Sequence, residues 1–520
     1  MQNHPQLYGP NLSKDLPAGL VVFLVALPLC LGISLASGAP PLAGIITGII
    51  GGLVVSWLSG SSLSVSGPAA GLTVIVLDGI KELKTFETFL LAGFLAGVIQ
   101  LVLGFAKAGV IGMYFPSSVI RGMLAAIGLT LILKQVSHLV GYDKDAMSDD
   151  PFILSDGTNG LSFLSNISEN FQMGSLFIGL ISLAILILWD SKPIKKIAAL
   201  KLVPGALIVV IASVFLNVFF SSIRPAWAIA DTHLVNLPIF GSLGAIGDVL
   251  RFPAWSQIGN PAVYVVAFTI AIIASLETLL SVEAVDKIDP HRRITPPNRE
   301  LKAQGVGNML ASLIGGIPMT AVIVRSSANV DAGGQTRISS AFHGLLLLLS
   351  VLFLARYINM VPLSALAAVL LMVGYKLTKP SLYRQQWRLG ANQFIPFIVT
   401  IIAVLATDLL IGVGIGLLFG MFFILKANYE SSHYLHEERH MDEHVIRIEL
   451  SENVSFLNKA SISRVLDDLP DGNKVIIDGS NSNFIDYDVL EAIQNFRTSA
   501  ADRNIEVELV NVPEVVALAH

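Results

Sequence analysis

The chain has 520 residues, of which 53% are hydrophobic and only 14% charged, and its mean hydropathy is +0.70. Soluble domains carry about 25% charged residues, so this composition excludes a soluble globular protein and requires many membrane spans. The net charge of −5 hides an asymmetry: from residue 428 onward there are 18 acidic and 7 basic residues, whereas the preceding part holds 26 basic and 20 acidic ones.

That shift divides the chain into an expected membrane body at 1–427, a linker at 428–443 and an acidic soluble domain at 444–520. A single cysteine, Cys30, excludes an internal disulfide framework and a Cys-rich metal site, and reads as a small packing residue. The first residues lack a basic region and a small-residue cleavage site, so no signal peptide is expected.

Apolar, helix-length segments follow one another at 16–36, 41–58, 67–80, 88–106, 114–137, 173–190, 203–221, 261–282, 299–315, 319–330, 338–356, 361–376, 392–408 and 411–427. The third and tenth are too short to cross a bilayer as helices, and each is entered through Gly and Pro, in SVSGPAAG at 64–71 and GGIPMT at 315–320. Three stands to seven as ten stands to fourteen, so the short segments hold equivalent places in two halves of seven. An odd number of spans inverts the second half. Interrupted segments at matching places point to an inverted-repeat transporter with its site at their breaks, with a plain kink of a structural helix at each Gly-Pro pair as the alternative.

Basic short loops set the orientation. Those at 190–202, 283–302 and 376–391 are rich in Lys and Arg and fall inside, with a cytoplasmic N-terminus. The acidic loop at 138–171 then falls outside and the acidic tail is cytoplasmic. In the tail, HVIRIEL alternates like a strand, KASISRVLDDL has helical spacing, KVIIDGS reads as a buried strand, and a helix and a further strand follow. This order predicts a partly parallel sheet with packed helices.

Arg325 lies within the short tenth segment, GGIPMTAVIVRSSANVDAGGQTR. An unpaired cation in the bilayer costs upward of ~3 kcal/mol, so it needs an anion, a carboxylate or water. The functional reading is an attractor for an anionic substrate. The structural reading is a pairing with Glu277 or with a backbone carbonyl. The starts of the two short helices (Gly67, Pro68, Ala69 and Ala70; Thr320, Ala321, Val322 and Ile323) are expected to leave amides unpaired, which makes an anion cradle without net charge. Ser66 and Thr320 add hydroxyls, with bonding back to the local backbone as the alternative. Glu277 lies well inside the eighth segment, and a carboxylate there must be protonated, paired or bound to a cation. Glu283 and Asp286 read as solvated helix-end residues. The His-rich stretch at 433–444 reads as a solvated linker without metal spacing. There is no GxxxxGK[ST] loop, and topology explains the basic loops, so neither an ATPase nor a nucleic-acid partner is expected.

Together SVSGPAAG, SLETLLSVEAVD at 275–286, the tenth-segment motif and the tail resemble the SulP family of anion transporters, relatives of pendrin and prestin, and the tail is similar to a STAS domain. The resemblance implies a polytopic α-helical fold of fourteen spans as seven-plus-seven inverted repeats in core and gate domains, with an α/β STAS domain. It implies a homodimer in the inner (plasma) membrane, elevator-type transport and no enzymatic activity. It places the substrate beside Pro28, Leu29, Ser66, Gly67, Pro68, Ala69, Thr320, Ala321, Val322, Ile323 and Arg325. It links Glu277 and Ser281 to a coupling cation, Na+ or H+, through oxygen ligands suited to a hard ion. Many sulfate-type members carry Gln where this chain has Leu29, which tilts the expected substrate from sulfate towards bicarbonate. Fumarate or succinate transport, an uncoupled anion channel and an anion sensor are the alternatives. The signalling serine turn of STAS relatives is replaced here by Asp486, Tyr487 and Asp488, so a scaffolding or docking role is expected of the tail.

Overall fold

The computed structural model describes residues 11–110, 116–141, 172–195, 203–239, 246–407, 409–430, 433–440 and 443–514. Most of the acidic loop after the fifth segment, at 142–171, and part of the basic loop before the seventh, at 196–202, therefore lie outside the described residues. The chain forms two compact units, Met1–Arg388 with Phe397–Gly414, and Leu389–Pro396 with Ile415–His520.

Apolar length fixes the helices: α1 (Leu12–Ala36), α2 (Pro41–Leu58), α3 (Thr73–Leu83), α4 (Phe86–Phe105), α5 (Ser117–Leu139), α6 (Met173–Trp189) and α7 (Gly205–Ile223). The second half repeats the order as α8 (Pro261–Ile288), α9 (Pro297–Leu313), α10 (Ile323–Asp331), α11 (Arg337–Ile358), α12 (Leu363–Leu377), α13 (Ala391–Ala406) and α14 (Leu409–Glu430). Local signals set several starts. Pro occupies the first turn of α2, α8 and α9, where its missing N–H costs nothing. Thr85 caps α4 and Thr336 caps α11, two helices that hold the same place in the two halves.

The packing obeys the same exchange of halves. Helix α1 packs on α11 as α8 packs on α4; α2 packs on α11 as α9 packs on α4; and α5 packs on α12, its own counterpart. Glycines sit at these crossings. A Cβ on Gly52 would meet the Gly344 backbone at 2.5 Å, one on Gly97 the Gly305 carbonyl at 2.6 Å, and one on Gly128 the Gly374 carbonyl at 2.7 Å. Small residues let the backbones approach where lipid offers no hydrophobic drive to associate. Between Gly51 and Val55, α2 widens into a π-helical turn as it passes its neighbours.

The two short segments differ from the expectation of helices that start at once. Ser66–Pro68 (β1) and Met319–Ala321 (β2) are strands, paired antiparallel in the register Ser66 to Ala321, Gly67 to Thr320 and Pro68 to Met319. The chain then enters α3 through a 3-10 turn, Ala70–Leu72, and α10 at Ile323. The physical reason is the need to pair every backbone group at this depth: two extended segments satisfy one another before each helix begins.

The C-terminal domain carries a four-stranded sheet of order β3 (His433–His440), β4 (Glu443–Leu450), β6 (Lys474–Asp478) and β8 (Glu506–Val510), antiparallel at β3–β4 and parallel elsewhere. Two short strands, β5 (Asn453–Val454) and β7 (Phe484–Ile485), pair separately. Helices α15 (Lys459–Asp467) and α16 (Tyr487–Ala500) supply Ile462, Leu466, Val489, Ile493 and Phe496 to a core with Ile448, Val475 and Ile477. The stretch expected as linker thus differs in part: α14 runs to Glu430, and 433–440 is an edge strand. Its polar composition gave no buried-face alternation to mark it.

Two outcomes test this architecture. Gly97→Val should destabilise the membrane unit by about 1–3 kcal/mol through overpacking, read as a lower melting temperature in detergent. Asp478 accepts hydrogen bonds from Ser480 and pairs with Arg447 at 3.0 Å. The Ser480 bonds and, after them, the Arg447 charge hold its carboxyl below the usual value despite desolvation. The stability this contributes is present above the unfolded carboxyl value and is lost as pH falls through the lower folded one. Asp478→Asn should therefore flatten the acid limb of the domain's melting profile, and an unchanged limb would contradict the linkage.

Candidate functional site

The β1–β2 pair is where the two halves meet, so its backbone accounting decides what remains open. Val322 N–H donates to the Val65 carbonyl at 2.9 Å, Ala321 N–H to Thr278 Oγ1 at 3.3 Å and Met319 N–H to Asn308 Oδ1 at 2.6 Å. Gly67 and Thr320 face each other in the ladder. The amides expected to be free at these positions are therefore largely engaged, and the open ones lie further along. In α10, Ser326 N–H is the first to return to the helix, at Val322 O, which leaves the amides of Ile323, Val324 and Arg325 without an intrahelical partner. In the first half, Leu72 N–H returns to Ala69 O, Gly71 N–H bonds the Glu277 carboxylate, and Ala70 N–H has no backbone partner.

Exposure follows the same division. Ser66, Gly67, Pro68, Ala69, Thr320 and Ala321 are buried, while Ile323 and Val324 are exposed at 36% and 41%. The first turn of α10 thus combines amides that have no intrahelical partner with partly exposed residues at Ile323 and Val324, at the positive end of the helix dipole. Neither candidate hydroxyl is open: Ser66 Oγ accepts from Gln304 Nε2 at 2.7 Å, and Thr320 Oγ1 donates to Ala321 O at 3.1 Å.

Arg325 is fully buried. Its Nη2 donates to the Pro68 carbonyl at 3.2 Å, while Nε and Nη1 have no hydrogen-bond partner among the described residues. Among the described contacts no ion pair joins it to Glu277. Of its two structural readings, the carbonyl contact is present and the carboxylate pairing is not. The guanidinium lies beside the Cys30 thiol and within Coulombic reach of His343. A Cβ on Gly67 would collide with it, so glycine there makes room for the cation behind the strand pair. Arg325 therefore biases the potential of the break from behind.

Glu277 is half-buried on α8, and its Oε2 has no hydrogen-bond partner among the described residues. A Cβ on Gly71 would lie 2.5 Å from Glu277 Oε1, so this glycine is what lets the carboxylate reach the entry to α3. Ser281 is buried one turn later on the same helix. A carboxylate with one unused oxygen and a nearby hydroxyl is a set of hard oxygen donors fit for a sodium ion or a proton. Nearer the end of α8, Glu283 pairs with Lys287 at 2.6 Å as an exposed helix-end residue, whereas Asp286 accepts from Thr295 N and Oγ1, each at 2.7 Å, and fastens the loop.

Pro28 and Leu29 are buried within α1. Pro28 lines a cleft of about 550 Å³ together with Phe23, Leu27, Leu31, Val210 and Tyr357. This cleft is apolar and holds none of the polar groups of the break.

Sequence reasoning missed a polar row on α9. Glu300, Gln304 and Asn308 are fully buried and stand four residues apart, hence on one face. Glu300 accepts from Ser59 Oγ, from Gly60 N–H at 3.2 Å and from Gln304 Nε2 at 3.0 Å. The spacing of three polar side chains inside a span was the available signal. In the C-terminal domain, the Asp486 side chain accepts from Asp488 N–H at 3.0 Å and caps α16.

A family model described as the sulfate permease family covers residues 12–400, and one described as the STAS domain covers 438–518. The chain is 31% identical over 431 residues to a putative sulfate transporter of Bacillus subtilis, YvdB, covering 83% of this chain and 77% of that protein. It is 25% identical to the bicarbonate transporter BicA of Picosynechococcus, over 80% of this chain and 70% of the relative. Among solved structures, SLC26A9 aligns with a TM-score of 0.76 at 18% identity, over 97% of this chain and 86% of that one. The transmembrane domain of a cyanobacterial BicA aligns at 0.65 and 22%, over 78% of this chain and 97% of that one. The chain, a multi-pass membrane protein with a C-terminal STAS domain, belongs to the sulfate permease family of anion transporters.

Proposed function

We propose that this protein is a secondary active transporter of a small inorganic oxyanion, bicarbonate or sulfate, coupled to sodium or protons and working by an elevator-type movement of the site. One observation carries the reading: two half-helices from opposite halves of the chain begin at a paired strand, and the amides of Ile323 and Val324, without an intrahelical partner, lie at residues that are partly exposed. Such a terminus binds an oxyanion through N–H groups and dipole. One buried guanidinium balances one negative charge, and the apolar Leu29 adds no further donor. Both favour the singly charged bicarbonate. Relatives named as bicarbonate and sulfate transporters support the substrate class.

Coupling rests on Glu277. Its unused oxygen and Ser281 take the cation, while Gly71 joins the carboxylate to the entry of α3. Cation binding there removes the cost of an unpaired carboxylate in the membrane and steadies the terminus that faces the anion. We place the protein in the plasma membrane as a homodimer, with the N-terminus and STAS domain cytoplasmic.

Three outcomes test this. In proteoliposomes, labelled bicarbonate or sulfate should accumulate faster under an inward sodium or proton gradient. Gradient-independent conductance would replace the reading with a channel, binding without accumulation with a sensor, and preference for fumarate or succinate with a dicarboxylate carrier. Glu277→Gln should fold, keep the Gly71 contact and lose gradient-driven uptake; unchanged uptake would remove Glu277 from coupling. Arg325→Ala should weaken anion binding by about tenfold, ~1.4 kcal/mol, with the dimer retained, and equal affinity by calorimetry would remove Arg325 from the site.

A further inference from the structure

The transport reading leaves the buried row on α9 unused. Asn308 sits against β2 and reads Met319 in both directions: its Oδ1 accepts from Met319 N–H at 2.6 Å, and its Nδ2 donates to Met319 O at 3.2 Å. The side-chain amide thereby fills the place of an adjacent strand. The same Nδ2 donates to Gln100 Oε1 on α4 at 2.6 Å, and Gln100 Nε2 donates to Ser275 Oγ on α8 at 3.3 Å. Ser275 stands two residues before Glu277 on α8. One turn back on α9, Gln304 Nε2 donates to Ser66 Oγ of β1. One helix face therefore grips both strands and reaches the helix that carries the carboxylate.

We propose that Asn308 is a positioning residue of the anion site: it sets the depth of β2, hence of the open amides at the start of α10, and ties that depth to α8 through Gln100. Asparagine suits the task because one short side chain both accepts and donates. Aspartate would set an oxygen against Met319 O and Gln100 Oε1, and alanine would take this partner from the Met319 backbone groups and from Gln100 Oε1 and open a cavity. Gln100 and Ser275 carry no charge, so they transmit position and not protons.

The proposal rests on the transport reading, and the test separates the two. Full-length protein in proteoliposomes is first assayed with radiolabelled bicarbonate and sulfate under an imposed cation gradient. A wild type that moves neither overturns the transport reading and this proposal with it. Where the wild type transports, Asn308→Ala should raise the apparent KM for the anion about tenfold, equivalent to ~1.4 kcal/mol, with the maximal rate within about twofold. A merely structural residue would lower yield, melting temperature and maximal rate and leave KM in place, and that result overturns the proposal. Should Asn308→Ala fail to fold, Gln100→Leu cuts only the link to α8. It should raise KM about threefold, ~0.7 kcal/mol, and weaken the dependence on the cation gradient, and an unchanged KM with unchanged gradient dependence overturns the proposal.

Discussion

A bilayer supplies no water to pair a backbone group, so any break in a spanning helix must be satisfied from within the protein. This chain breaks twice and uses each break to satisfy the other. Three residues of β1 and three of β2 pair across the junction of the halves, and the helices begin only afterwards. The rest of the membrane unit follows from keeping that pair in place. Glycine-lined crossings bring α2 and α11, and α9 and α4, close around it, and a polar face of α9 holds both strands from behind.

The electrostatics of the break are arranged in depth. Open amides at the first turn of α10 are the groups an anion would touch, whereas Arg325 lies behind the strands against Pro68 O. A cation kept out of solvent raises the local potential without closing a salt bridge with the substrate, which suits a carrier that must release what it binds. Glu277 is joined to the entry of α3 through Gly71, and among the described contacts it is not paired with Arg325. On the proposed reading, separation of the two groups would let each respond to its own ion, as coupled transport demands.

Much of this was legible in the sequence because the bilayer imposes lengths that hydropathy reports. The helical segments, the equivalent short third and tenth, and Arg325 and Glu277 as titratable residues within apolar segments could all be read directly. The strand pair was not legible: three residues have no period, and their partner lies some 250 positions away. That one feature engaged the amides expected to be open at Thr320, Ala321 and Val322, left Ile323 open as expected and extended the open set to Arg325, and it turned the hydroxyls of Ser66 and Thr320 into structural groups. The α9 row was visible as Glu300, Gln304 and Asn308 at a spacing of four, but its meaning needed the neighbours Met319, Ser66 and Gln100, which only the fold supplies.

The central claim is that the anion lies on the open amides of two facing half-helix starts. Amide hydrogen exchange of the reconstituted protein, followed by mass spectrometry with and without bicarbonate or sulfate, measures those groups directly. Without an anion, the amides of Ala70 and Ile323–Arg325 should exchange faster than the strand-paired ones at Gly67 and Thr320, and a transported anion should slow exchange there first. Protection that leaves both starts unchanged and appears elsewhere in the membrane unit would contradict the account.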